Sequence, residues 1–157
     1  MPISLLLNSE FFSSYNNHTA LKGLIAISPA GHISFISQLY TGSISDREIT
    51  ERSGFLDHPF GANDSIMADK GFTIQDLLPV GVSPIPPFLG SSAQMPAEDV
   101  IKTQEIASPR IHVERAINNV KNFHIWDSIL PFRLFGIVNQ MWTVCTHLCY
   151  VQDPIIS

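Results

Sequence analysis

The chain reads as a mixed α/β domain in which helices cover a small sheet. Three observations predict this class. Two strand-like runs, 21–28 and 32–40, flank a Ser28-Pro29-Ala30-Gly31 turn. A helix start signal, Ser45 with Glu48 three residues on, follows directly. Further along, Val113, Ala116, Ile117 and Val120 form one apolar stripe at helical spacing.

The elements follow in order. Leu21–Ser28 is rich in strand formers, and His32–Tyr40 begins with apolar–polar alternation, so the pair predicts a β-hairpin. The helix capped by Ser45 should run about two turns and stop near Gly54. Asp64–Asp69 reads as a short strand ending in an acid. Thr73 then caps a short helix, Ile74–Leu78, stopped by Pro79. Val82–Pro86 is an edge strand, where proline is tolerated. A helix is predicted from Pro96 to Ala107, broken by Pro109, and a second over Arg110–Asn122. The last, Phe132–Tyr150, is apolar on most sides.

With 157 residues the chain is a single domain, 1–157, able to bury a core. Apolar residues make up 45% and charged ones 15%, which excludes a mainly disordered chain. The net charge of −5 excludes a generally basic nucleic-acid binder. The charge is uneven: residues 1–101 carry four basic and ten acidic side chains, whereas 102–133 carry five basic and three acidic. Cys145 and Cys149 lie four apart in an apolar run and predict buried thiols, not a disulfide framework. Arg133, Asn139, Gln140 and His147 interrupt 132–151, so no membrane span is expected.

Three acids stand out. Asp69 closes an apolar strand before Lys70-Gly71, a place where α/β sheets present functional side chains and where turns also use Asp. Glu114 lies on the 110–122 helix among Arg110, His112 and Arg115. It reads either as a surface partner of Arg110 at i, i+4 or as a metal-directed carboxylate. Asp46 suits the first turn of a helix, where the dipole favours an acid. No zinc spacing, P-loop, GxGxxG or GxSxG occurs.

Several segments together resemble one family. Tyr40–Ile49, Met67–Phe72, Ile85–Leu89 and Ile106–Ile117 stand in the order and spacing of the DDE superfamily endonucleases of Harbinger-like transposases. Trp126 and the apolar run through Cys145 are similar to the family's end, so the resemblance covers about 12–152. It implies a ribonuclease-H-like mixed sheet flanked by helices and phosphodiester chemistry on DNA, in the nucleus or otherwise the cytoplasm. Three carboxylates would hold divalent cations, Mg²⁺ or Mn²⁺, which are hard ions that prefer oxygen. The match assigns the second acid to Asp69 and the third to Glu114, as catalytic and metal-binding residues. Lys70, Arg110 and Arg115 become phosphate neighbours.

The first aspartate of that set has no counterpart, since Glu10 does not match its motif. The chain is therefore expected to be an N-terminally truncated core without its opening strand. Its exposed sheet edge would be covered by a partner protein or a missing N-terminal segment. Little or no nuclease activity follows. The alternative is a domesticated, non-enzymatic domain that binds DNA or protein.

Overall fold

The computed structural model describes residues 5–15, 19–68, 72–85 and 110–151. Six strands form one mixed sheet: β1 (Leu5–Tyr15), β2 (Thr19–Ile27), β3 (Ile33–Ile36), β4 (Tyr40–Thr41), β5 (Ser65–Ala68) and β6 (Ser83–Ile85). Their order is β3-β2-β1-β5-β6, and β4 pairs with β2 as well. β1 is antiparallel to β2 and parallel to β5, and β5 is parallel to β6. Helix α1 is Asp46–Arg52, α2 spans 110–121 and α3 is Val138–Val151. This is the ribonuclease-H-like class expected from the sequence: a mixed sheet with helices on its faces.

The opening strand is the main correction. It is present, and it is central: Leu6 lies opposite Ile27 of β2 and Met67 of β5. The sequence conceals it because a leucine run followed by Asn8-Ser9-Glu10 has no strong strand signature. Pairing on both sides supplies the backbone partners that its local preference does not.

The two-residue alternation of the strands sorts the core into two layers. Leu6, Leu21, Ile25, Ile27 and Met67 pack with Val113, Ala116, Ile117 and Val120 of α2 and with Trp142 of α3. Leu5, Leu7, Leu24, Ala26 and Ile66 pack on the other face with Ile49 of α1, Phe55 and Phe72. Neither layer could bury its apolar side without the sheet between them.

The predicted hairpin forms between β2 and β3. Its turn is closed by Gly31 N–H donating to Ser28 O (2.9 Å) and Ser28 N–H donating to His32 O (2.8 Å). Gly31 adopts φ 88°, a conformation that costs glycine little. α1 starts as predicted: the Ser45 hydroxyl accepts from Glu48 N–H (3.1 Å). The Glu48 carboxylate does not return to the cap but pairs with Arg52 Nη2 at 2.6 Å. Ser45→Ala should therefore cost about 1 kcal/mol in a urea titration, with the slope unchanged.

Two predicted elements differ. Residues 74–78 form a turn, with Leu77 N–H donating to Ile74 O (2.9 Å), and not a helix. Pro79 leaves too few residues to offset the cost of helix nucleation. The last predicted helix begins as a 3₁₀ segment, Phe132–Ile137, without a side-chain cap, and becomes α-helical only at Val138. The predicted helix from Pro96 to Ala107 lies outside the described residues. No helix among the described residues is long and apolar enough to cross a membrane.

Candidate active site

α2 carries the predicted site residues that the structure describes. Its apolar stripe seats Ala116 and Val120, fully buried, on the sheet, which fixes the helix's rotation. Glu114 and Arg115 consequently emerge on the outer side. Arg110 Nε lies 3.7 Å from Glu114 Oε1, with the two side chains 42% and 61% exposed. The surface i, i+4 pair is thus formed. At this exposure such a pair is worth ~0.3–0.5 kcal/mol, so a cation or phosphate could displace it readily. Asp69 and Lys70 lie outside the described residues. They directly follow Ala68, the last residue of β5.

The strand beside β5 is β1, and the last pair between them is Leu7 with Ala68. The next residue of β1 is Asn8. It shares the strand face of Leu6, which packs in the layer that holds α2. The α2 side of β1 therefore presents a neutral amide one step beyond the end of the β1–β5 pairing. No signal in the sequence marked Asn8, because β1 itself was not legible.

The opposite face carries a polar cluster that sequence reasoning also missed. Lys22 is only 8% exposed, and its Nζ lies 2.7 Å from Asp46 Oδ1 and donates to Ile44 O at 3.1 Å. The Ser9 hydroxyl donates to the same Asp46 oxygen. Asp46 thus does more than favour the helix dipole: it ties α1 to β1 and β2. The available signal was Lys22, a single cation within an apolar strand run.

Arg47, next on α1, grips the chain that follows β5. Its Nη1 donates to Thr73 O and Asp76 Oδ1, and its Nη2 to Asp76 Oδ2, all at 2.7 Å. This two-pronged bond holds the Asp76 carboxyl below its usual range. The fork anchors Thr73 and Asp76 to α1.

A family model for the DDE superfamily endonucleases matches residues 1–149, nearly the whole chain. The chain belongs to this family. No individual characterised protein matches it. DDE superfamily endonucleases are transposase-derived nucleases that act on DNA with divalent metal. Among the described residues of this member, no group of three His, Cys, Asp or Glu could hold a metal ion. The one carboxylate on α2 is Glu114, and it lies on the outer side of the helix, so the described residues by themselves do not make up the three-carboxylate donor set expected of the family. Helix α2 carries three cations, Arg110, Arg115 and Lys121, against the one carboxylate Glu114.

Proposed function

We propose that this DDE domain contacts the DNA backbone but cleaves it weakly or not at all. The observation that carries this reading is Asn8, a neutral residue on the α2-facing side of the central strand. In this reading Asp69 and Glu114 are the remaining catalytic and metal-binding carboxylates of a Harbinger-like set. Asn8 stands where the first would be needed. Lys70, Arg110 and Arg115 meet phosphate. Mg²⁺ and Mn²⁺ prefer charged oxygen ligands, so an amide in place of a carboxylate would weaken their binding. The setting implied is DNA in the nucleus.

Calorimetric titration with Mn²⁺ and a plasmid-nicking assay test the proposal together. The unaltered protein should bind Mn²⁺ only in the millimolar range and leave supercoiled DNA intact. Asn8→Asp should tighten Mn²⁺ binding by about tenfold or more, and Glu114→Ala should abolish that gain. Efficient nicking by the unaltered protein, lost in Asp69→Ala, would overturn the reading. Mn²⁺ binding absent in both the unaltered protein and Asn8→Asp would favour the domesticated, non-enzymatic alternative.

A further inference from the structure

β3 stands at the end of the strand order, so one of its edges meets no strand of the described sheet. Ser37 N–H donates to Leu24 O at 2.9 Å, and Ile36 and Phe35 lie opposite Ile25 and Ala26. Antiparallel alternation then turns the main-chain N–H and C=O of Ser34 and Ile36 away from β2. Beyond Ile36, α3 closes this side: Asn139 Oδ1 accepts from Leu39 N–H and Trp142 Nε1 donates to Ser37 O, both at 2.8 Å. Along 33–36 it does not. There a cleft of about 320 Å³ opens between β3 and Thr146, His147 and Tyr150 of α3. It lies two strands from β1, outside the candidate active site.

We infer that this cleft binds a single unpaired nucleobase, of a free nucleoside or of a DNA strand. Four features select that chemistry. The helix wall supplies acceptors. The buried Thr146 hydroxyl spends its one hydrogen on the Trp142 and Thr143 carbonyls, at 3.0 and 2.8 Å, so its oxygen keeps lone pairs. His147 Nδ1 lies 2.8 Å from Thr143 O, which can only accept, so Nδ1 carries the proton and Nε2 is the acceptor of the neutral ring. The strand wall adds the outward N–H and C=O groups of Ser34 and Ile36, both of which line the cleft. Donors and acceptors side by side match the edge of a base. Tyr150, 60% exposed, supplies a ring face that stacking would cover. No Asp, Glu, Lys or Arg is among the described lining residues, so the cleft suits a neutral ring and not a phosphate. Its volume is at the small end for ligand sites, enough for one ring system but not for a base pair. A dissociation constant on the order of 1 mM is expected for a nucleoside. The inference stands apart from metal binding, strand cleavage and backbone contact by α2.

Saturation-transfer NMR with deoxyadenosine tests it. The unaltered protein should transfer magnetisation to the adenine protons, and deoxyribose, which lacks the ring, should receive none. Tyr150→Ala should weaken binding by about fivefold or more, and Tyr150→Phe should keep most of it. Val144→Ser, exposed and outside the cleft, should bind like the unaltered protein. Circular dichroism should be unchanged in all three variants. Single-stranded oligodeoxyadenylate separates the two sources: binding that Tyr150→Ala weakens marks a strand base, and binding of deoxyadenosine alone marks a free nucleoside. Duplex binding reports on α2 and should not respond to Tyr150→Ala. Failure of both deoxyadenosine and the single strand to bind would overturn the inference. So would equal binding by Tyr150→Ala and the unaltered protein, or equal transfer to deoxyribose.

Discussion

Trp142→Ala is expected to remove about 3–5 kcal/mol of stability, a large part of what a domain of this size has. Trp142 is fully buried and is the largest such side chain among the described residues. Its indole packs edge-on to Trp126, with ring centres 6.2 Å apart, and its Nε1 donates to Ser37 O at 2.8 Å. The loss has two parts. The cavity forfeits apolar contacts between α3 and the sheet, and Ser37 O is left without its indole donor. Ser37 also holds β2, since its hydroxyl accepts from Leu24 N–H at 2.8 Å. Urea titration should show the midpoint falling strongly. Trp142→Phe, which keeps most of the volume but not the donor, should fall by less than half as much. Equal midpoints for Trp142→Ala and the unaltered protein would refute this account.

Asp46→Ala should cost about 2–3 kcal/mol, more than its place in the first turn of a short helix would suggest. Removing the carboxylate takes away the 2.7 Å ion pair of the Lys22 ammonium, which is 8% exposed, and the acceptor used by Ser9. The figure lies below the usual cost of breaking a buried pair because the Asp46 side chain is 24% exposed and water relieves part of the penalty. Pairing Asp46→Ala with Lys22→Met should recover most of the loss, because no uncompensated charge remains. A double-mutant cycle by urea titration measures this. Strict additivity of the two substitutions would show that the ion pair does not couple α1 to the sheet.

The buried thiols provide a chemical check on α3. Burial pushes both Cys145 and Cys149 up from the ordinary thiol range, and the Trp126 indole partly offsets this for Cys145. Their positions were legible from their apolar setting.

Other features were legible for equally local reasons. The β2–β3 hairpin rests on a Pro/Gly turn between strand formers, and α2 on a stripe at helical spacing. The α1 cap rests on Ser45 and its reach to Glu48 N–H. Thr73 supplies a cap signal for a helix over Ile74–Leu78, but too few residues remain before Pro79 and a turn forms instead. Arg47 then satisfies Thr73 O from another element, which no local pattern reveals.

The candidate site divides along the same line. Composition and the order of apolar runs predicted a mixed α/β fold, and the segments Tyr40–Ile49, Met67–Phe72, Ile85–Leu89 and Ile106–Ile117 carried the resemblance to the DDE superfamily. Both are properties of local segments, which the chain carries within itself. The tertiary structure decided that an opening strand exists and lies between β2 and β5, and that its α2 side presents Asn8. It also paired Lys22 with Asp46 across the sheet and left a cleft between β3 and α3. These depend on pairing between residues distant in sequence. A strand with weak local preference forms because its neighbours supply hydrogen-bond partners and two apolar layers. That interaction energy belongs to the assembled sheet, and no single segment encodes it.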